Sequence, residues 1–289
     1  MLIACVVGQT SSPGGEVERV AANGTQLAYV ETGRGAPVVL VHGAMQDYRL
    51  WQAHLGVFGQ RYRAIAYSRR NHFPNAVSVD GVSDMMGHVH GDDLAGLIEG
   101  LSLGRVHVVA HSGGALAALF FAANHPGLIR TLAVNEPAAT GLSQGAAGGA
   151  EALAEFASRM TPVREAFRAG DLGRGLRLFA DAVGGPGTYD RRTEAERRMM
   201  MDNALERVAD ARASSQPPAF TCEMAKRITA PTLLMNGVRS PAIFHRIVDE
   251  LERCVPNRER VVIPDASHTV PGENPKGFDE AVLAFLAKH

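Results

Sequence analysis

Short apolar runs alternate with longer segments of helical spacing along most of this chain. The short runs are rich in Val, Ile and Leu, which is typical of strands buried on both faces of a parallel sheet. Most of the segments between them are long enough for a helix, as βαβ units require. This pattern predicts an α/β fold with helices on both faces of a predominantly parallel, eight-stranded sheet. The predicted strands are Val17–Ala22, Gln26–Thr32, Val38–Val41, Arg63–Tyr67, Val106–Ala110, Thr131–Asn135, Thr232–Asn236 and Arg260–Ile263.

The first two predicted strands are joined differently from the others. Only Asn23-Gly24-Thr25 separates them. An Asn-Gly pair favours the tight turn of an antiparallel hairpin, since both residues tolerate positive φ. We therefore expect the sheet to open with an antiparallel hairpin.

A long stretch without strand character interrupts the alternation between Pro137 and about Phe220. It consists of Ala-, Leu-, Arg- and Met-rich segments with helical spacing, separated by Gly and Pro. Both flanks lead directly into strands, which favours an insertion over a separate helical domain. The predicted parts are a flexible leader (1–15), the first part of an α/β core (16–137), a helical cap or lid (138–220) and the second part of the core (221–289).

The composition is that of an ordinary soluble globular protein. Of the 289 residues, 46% are apolar and 20% charged, which is enough for a full core. The formal net charge is −1 and the basic residues are scattered, so nucleic acid is not an expected partner. No apolar run approaches the roughly 18 residues of a membrane-spanning helix, so no membrane association is predicted. A homodimer is left open.

The three cysteines carry a prediction about the compartment. Cys5, Cys222 and Cys254 have neither metal-ligand spacing nor a paired framework. This favours free thiols in a reducing environment and a cytoplasmic protein, with no metal site.

A candidate nucleophile lies at Ala110-His111-Ser112-Gly113-Gly114, between a predicted strand and a predicted helix. A serine hydroxyl becomes a useful nucleophile when a sharp strand-to-helix turn holds it clear of the sheet, beside a base and amide donors. Such a strained turn requires small residues two positions before and after the serine, here Ala110 and Gly114. A serine that merely caps a helix would not require them. Ser112 is therefore the predicted nucleophile.

The predicted oxyanion hole combines two backbone amides. The buried strand Val38–Val41 runs into His42-Gly43-Ala44, the loop where a second donor is expected, so we assign the N–H groups of Ala44 and Gly113. Met45 is the alternative donor. His42 is expected to fix this loop through side-chain hydrogen bonds.

The predicted general base is His268, which follows the last predicted strand. At that position it faces the same sheet edge as Ser112, and neutral imidazole can take the serine proton near pH 7. His111 flanks the nucleophile, but its side chain is expected to point away from the reacting centre. His54 is expected to face solvent or to pack near Trp51.

Together, Val41-His42-Gly43, Ala110-His111-Ser112-Gly113-Gly114, Ala230-Pro231-Thr232-Leu233-Leu234 and Ala266-Ser267-His268 resemble the α/β-hydrolase superfamily in order and spacing. The resemblance covers the chain from about Glu16 to Leu286. It implies a triad in the order serine, acid, histidine. In most members the acid follows the strand that here is Thr232–Asn236, but this chain has Ser240 at that point, and a hydroxyl cannot stabilise an imidazolium as a carboxylate does.

The acid is therefore predicted one strand earlier. Some branches of the superfamily carry it after the preceding core strand, where this chain has Glu136. Glu136 is our assignment, and its alternative role is to cap the first helix of the insertion. Asp265 is the main rival, while Asp249 and Glu250 are expected to face solvent.

The resemblance implies a serine hydrolase that cleaves an ester, lactone or related acyl bond of a small apolar molecule, without metal or organic cofactor. Ser112 argues against haloalkane dehalogenases and epoxide hydrolases of this fold, which use an aspartate nucleophile. Two alternatives stay open: a cofactor-free oxygenase or perhydrolase, and a non-catalytic ligand receptor that retains the turn.

Two groups of residues are candidates for substrate contacts. Met199-Met200-Met201 offers soft apolar side chains that could line an acyl pocket, although packing between helices of the insertion is the favoured role. Arg69 or Arg70 follows a strand and could meet a substrate carboxylate.

Overall fold

The computed structural model describes residues 15–77, 86–213 and 217–289 of the chain. The predicted leader, residues 1–15, lies outside the described residues except for its last position. Eight strands form one sheet, and each overlaps a predicted one. They are β1 (Glu18–Ala22), β2 (Thr25–Thr32), β3 (Pro37–Val41), β4 (Arg63–Tyr67), β5 (Val106–His111), β6 (Ile129–Asn135), β7 (Thr232–Gly237) and β8 (Arg258–Ile263).

The sheet has the order β1-β2-β4-β3-β5-β6-β7-β8. Strand β2 pairs antiparallel with β1 and β4, and the remaining neighbours are parallel. The turn between β1 and β2 is Asn23-Gly24, with φ values of 43° and 74°, which is the hairpin geometry that an Asn-Gly pair favours. The predicted fold class is therefore confirmed.

Helices occupy both faces of the sheet and the connection between β6 and β7. They are α1 (Gln52–Phe58), α2 (Gly87–Gly100), α3 (Ser112–Asn124), α4 (Gly149–Arg168), α5 (Leu172–Gly184), α6 (Thr188–Arg191), α7 (Glu194–Asp202), α8 (Leu205–Arg212), α9 (Cys222–Ala225), α10 (Ala242–Cys254), α11 (Val270–Glu273) and α12 (Pro275–Leu286). Short 3₁₀ helices cover Tyr48–Trp51 and Thr140–Gly145. No described helix has the length and apolar character needed to cross a membrane.

Two hydrophobic clusters cover the two faces of the sheet. Side chains of α2, α3 and α10 pack on one face, and those of α1 and α12 pack on the other. Strand β5, at the centre, is buried along its whole length. The parallel strands β3, β5, β6, β7 and β8 therefore direct their carboxyl ends to one edge, where a site is expected in folds of this type.

Helices α4 to α8, called the cap helices below, form a third hydrophobic cluster with Met45 of the loop after β3. Between β6 and β7 the described residues contain helices and turns but no strand, as the sequence pattern predicted. The cap helices therefore lie over the carboxyl edge of the sheet.

The cysteine prediction is wrong for two of the three residues. Cys222 and Cys254 form a disulfide that joins α9 to the end of α10. Their spacing of 32 residues gave no pairing signal, because only the packing of α9 against α10 brings the two sulfur atoms together. The expectation of free thiols thus fails for this pair.

Candidate active site

Ser112 lies at a sharp turn between the buried strand β5 and helix α3. Its φ is 53°, a left-handed conformation that a non-glycine residue adopts only when the surrounding structure enforces it. The turn is tight because α3 starts directly over β3: a Cβ on Gly114 would lie 2.2 Å from the carbonyl oxygen of His42. Glycine at this position therefore lets the helix approach and lifts the Ser112 side chain off the strand.

A chain of hydrogen bonds joins three side chains at the carboxyl edge of the sheet. The Nε2 atom of His268 lies 2.9 Å from Oγ of Ser112. On the other side of the ring, Nδ1 lies 2.7 Å from Oε2 of Glu136. The structure therefore brings together the predicted nucleophile, base and acid, which lie on three separate segments of the chain.

Glu136 is held by partners from the end of β7 and from the loop that follows it. Its Oε1 atom accepts hydrogen bonds from the backbone N–H of Gly237, at 2.8 Å, and from the hydroxyl of Ser240. Glu136 directly follows β6 and has a φ of 45°, which turns its side chain towards the neighbouring strand. Ser240 was noted in the sequence only as a missing acid, but in the structure it orients the displaced acid.

The other candidate acids lie elsewhere. Asp265 is exposed, and its backbone carbonyl accepts a hydrogen bond from Arg239. The first helical turn after β6 has Ala139 as its N-cap residue, so Glu136 does not cap it. Glu250 was expected to face solvent but is buried and paired with Arg253, because α10 packs that face against the disulfide.

Burial sets the direction of the pKa shifts of Glu136 and His268. Loss of hydration raises the pKa of Glu136, while the hydrogen bonds from Ser240 and Gly237 oppose that shift. Loss of hydration also lowers the pKa of His268. The ring of Phe244 stacks on His268 with the centroids 3.9 Å apart, which excludes water from one face of the imidazole. A neutral imidazole at neutral pH follows, as a general base requires.

Ala44 and Gly113 both line the cavity at Ser112, as predicted for oxyanion donors. The alternative donor, Met45, is already engaged: its N–H donates to Oε1 of Glu206 from helix α8, at 2.7 Å. This contact ties the loop after β3 to a cap helix. Met45 is therefore engaged elsewhere, while Ala44 and Gly113 line the cavity.

The two arginines proposed for substrate contact are in structural positions. Arg69 is fully buried and donates to the carbonyl oxygens of His42 and Gly43, both at 3.1 Å. The backbone N–H of Arg69 donates to Nε2 of His42. The Nδ1 atom of His42 lies 2.8 Å from the carbonyl oxygen of Gly43. Arg70 forms an ion pair with Asp93. Arg69 therefore fixes the oxyanion loop together with His42, and neither arginine lines the cavities at Ser112.

The predicted orientations of His111 and His54 can also be compared with the structure. His111 does not point away from the reacting centre: its ring centroid lies 5.0 Å from that of His268, and both rings line a small cavity at Ser112. Asn135 explains this orientation, since its amide lies 2.9 Å from Nδ1 of His111 and also reaches the carbonyl of His268. His54 is buried, packs against Trp51 and binds Asp279.

Two cavities meet at Ser112 and His268. The larger has a volume of about 260 Å³ and lies beneath the cap helices. Its walls are mainly apolar, which suits the hydrocarbon part of a small molecule. The apolar side chains include Phe156, Met160, Val163, Phe167, Phe179 and Phe244.

The smaller cavity, of about 20 Å³, has a more polar wall. It includes Arg192, from the segment between α6 and α7, and Thr269, which follows the predicted base. Met199 and Met200 also line it, and Met200 belongs to the core of the cap helices as well, so both roles suggested for the methionine run are present. Sequence reasoning missed Arg192, because nothing in its local pattern separates it from the other arginines of the insertion.

The arrangement is a serine side chain within hydrogen-bond distance of a buried imidazole, which in turn contacts a buried carboxylate, at the carboxyl edge of an α/β sheet. The chain belongs to the alpha/beta hydrolase family, whose model matches residues 38–281. It is similar to 2-(acetamidomethylene)succinate hydrolase of Mesorhizobium japonicum, with 24% identity over 258 residues that cover 89% of this chain and 90% of that protein.

One shorter sequence match and two structural matches give further similarities. The non-heme chloroperoxidase CPO-A1 of Kitasatospora aureofaciens is 38% identical over 98 residues, about a third of each chain (33% and 34%). Among solved structures, an esterase from Thermogutta terrifontis superposes with a TM-score of 0.70 at 23% identity, covering 95% of this chain and 99% of the other. The Est816 structure, described as an N-acyl homoserine lactone degrading enzyme, gives 0.74 at 23% identity, with 93% and 100% covered. These two similarities establish the fold.

Proposed function

We propose that this protein is a serine hydrolase that cleaves an ester, lactone or related acyl bond of a small, largely apolar molecule. The observation that carries the proposal is the continuous chain of hydrogen bonds from Ser112 through His268 to Glu136. A buried carboxylate on one side of an imidazole and a serine hydroxyl on the other is the arrangement that acyl transfer through serine requires.

The proposed reaction has two halves. Oγ of Ser112 attacks the acyl carbon while Nε2 of His268 takes its proton, and the N–H groups of Ala44 and Gly113 stabilise the oxyanion. His268 then gives the proton to the leaving group, which departs and leaves an acyl group on Ser112. Water, deprotonated by His268, releases the acid and restores the serine. Throughout, Glu136 fixes the ring and stabilises the imidazolium.

The relatives support hydrolysis in general. The chain is similar to hydrolases of succinate derivatives, to a carbamate hydrolase and to epoxide hydrolases. Ser112 stands where the aspartate-dependent members of the fold carry their nucleophile, so acyl-bond cleavage is favoured over epoxide opening. The apolar cavity beside Ser112 favours a small hydrocarbon-bearing substrate.

The direct test is labelling with a fluorophosphonate probe, followed by peptide mapping, beside turnover of p-nitrophenyl esters of increasing acyl length. We expect label on Ser112 and ester turnover that Ser112→Ala abolishes. Ser143→Ala, a buried serine that bonds only within its own 3₁₀ turn, serves as the matched control and should retain both. A folded wild-type protein that takes no label and turns over no ester would contradict the proposal and favour the receptor alternative.

A second candidate is perhydrolysis on the same acyl-enzyme, in which hydrogen peroxide replaces water and a peracid is released. The match to a non-heme chloroperoxidase over 98 residues favours testing it. With bromide, hydrogen peroxide and a short carboxylic acid present, the released peracid would oxidise bromide to hypobromous acid, and bromination of a phenolic dye would support this reaction. Its absence, with ester turnover intact, would leave hydrolysis alone.

A further inference from the structure

A single arginine faces the reacting centre in the smaller cavity. Arg192 follows α6 and lines the small cavity together with Ser112 and His268. Its side chain is only 12% exposed. A cation in this position is costly, because burial removes its hydration, and it is therefore expected to have a purpose.

The described partners of Arg192 leave part of its guanidinium unused. Its Nη2 atom donates to Oγ1 of Thr269 at 3.2 Å, and Nη1 lies 3.7 Å from Oε1 of Glu196, beyond hydrogen-bond distance. Its Nε is buried and has no hydrogen-bond acceptor among the described residues. The guanidinium of Arg192 therefore has N–H donors that could bind a planar anion such as a carboxylate.

The charge of Arg192 acts at the reacting centre. It contributes to lowering the pKa of His268 and of His111, after burial as the main cause. Burial also lowers the pKa of Arg192 itself, opposed by Glu196 and Glu273. Glu273 is exposed and accepts a hydrogen bond from the backbone N–H of Ser267. Arg192 is thus the cationic side chain that lines the small cavity beside His268, whereas the larger cavity is mainly apolar and carries Arg164, Arg207 and Asp210 in its wall.

We propose that Arg192 binds a carboxylate of the substrate in the smaller cavity, on the side of the scissile acyl bond where the shorter arm lies. The inference rests on the proposed function, since it assigns the substrate class of the same site. The two cavities share Ser112, His268, Ala44, Phe179 and Val183, so they open to either side of the reacting bond. The substrate class is then a half-ester, or a related acyl compound, with a short carboxylate-bearing arm and an apolar arm.

The test compares two substrates that differ only in the anion. Monobenzyl succinate carries a carboxylate where benzyl butyrate carries a methyl group, and both present the same apolar arm. The measured quantity is the ratio of kcat/KM for the anionic ester to that for the neutral one. A ratio is informative because any change in the pKa of His268 affects both substrates and cancels.

We expect Arg192→Gln to lower this ratio on the order of 10- to 100-fold, as loss of a charge-assisted hydrogen bond predicts. Arg192→Lys should fall between wild type and Arg192→Gln, because it keeps the charge but not the planar donors. Arg191→Gln is the matched control, as its side chain is exposed and bonds to Pro186 and Thr188. An equal ratio in Arg192→Gln and Arg191→Gln would overturn the proposal, provided that thermal melts show both variants folded.

A binding measurement separates this inference from the proposed function. Titration calorimetry of Ser112→Ala with succinate needs no turnover, and we expect at least tenfold weaker binding when Arg192→Gln is added. If the protein turns over no ester but binds succinate in a way that depends on Arg192, the proposed hydrolase function is rejected and the anion site is retained. Succinate binding that is unchanged by Arg192→Gln would reject the anion site whatever the turnover.

Discussion

Oε2 of Glu136 lies 2.7 Å from Nδ1 of His268, although 132 positions separate the two residues in the chain. The carboxylate comes from the end of β6, and the strand that usually supplies the acid, β7, instead supplies Ser240 and the amide of Gly237 as its partners. The carboxylate thus follows β6 instead of β7, while the imidazole keeps a carboxylate partner.

The first prediction concerns which acid serves His268. Glu136→Gln keeps the shape of the side chain but removes the negative charge, and we expect kcat to fall on the order of 10³- to 10⁴-fold. Asp265→Asn is the matched control, because Asp265 is exposed and should change kcat less than about twofold. The measurement is kcat of both variants and of the wild type, from steady-state kinetics with one p-nitrophenyl ester. Intact turnover in Glu136→Gln together with loss in Asp265→Asn would reverse the assignment.

A second prediction follows from the contact between Ser240 and Glu136. In Glu136→Ala the cavity left by the side chain lies next to position 240, so Ser240→Asp can direct a carboxylate towards His268. We expect the double variant to regain at least tenfold in kcat over Glu136→Ala. Ser240→Asp alone should be destabilised, because it buries a second carboxyl beside Glu136. Equal kcat in the double and single variants would mean that the geometry admits only Glu136.

The third prediction is the pH dependence of the base. His268 acts as a base only when neutral, and burial lowers its pKa below the usual 6.5. The value of kcat/KM should therefore rise with pH to a plateau, with its acidic half-maximum below pH 6.5. Arg192→Gln removes a nearby positive charge, so its half-maximum should shift to higher pH. An NMR titration that places His268 itself at or above pH 6.5 would contradict the direction assigned here, whereas a kinetic half-maximum there would report Glu136, whose pKa burial raises.

The fourth prediction tests the close approach of α3 to β3. Gly114→Ala introduces a Cβ 2.2 Å from the carbonyl oxygen of His42, so we expect a loss of more than about 2 kcal/mol in the free energy of unfolding. Gly56→Ala is the control: it lies in α1 with nothing within 4 Å of the added carbon, and should stabilise by about 0.5–1 kcal/mol. Urea unfolding measures both. A stable Gly114→Ala variant would show that the helix can shift without cost.

The fifth prediction concerns the Cys222–Cys254 disulfide. It closes a loop of 32 residues, for which the chain-entropy estimate is about 3–4 kcal/mol of stabilisation. We expect Cys222→Ser, or reduction of the wild type, to lower the free energy of unfolding by about 2–4 kcal/mol. Thiol titration in denaturant should give two more thiols after reduction than before. An unchanged thiol count would mean that the pair is already reduced in the isolated protein.

Local patterns in the sequence determined much of the fold. Each strand was predicted because an apolar run of period two, or a continuous buried run, is a property of neighbouring residues. The turn at Ser112 could also be predicted from local sequence, because a strained strand-to-helix turn requires small residues at the positions of Ala110 and Gly114. His268 followed from its position after the last strand of the same sheet edge.

Only the tertiary structure decided contacts between distant segments. The disulfide, the burial of Arg69 behind the oxyanion loop and the hydrogen bond from Ser240 to Glu136 each join residues from different elements, and no local periodicity records them. Arg192 is the clearest case: the packing of the cap helices, and no local pattern, directs it to the small cavity beside Ser112 and His268. Sequence therefore predicted the sheet and the turn at Ser112, whereas packing decided what surrounds them.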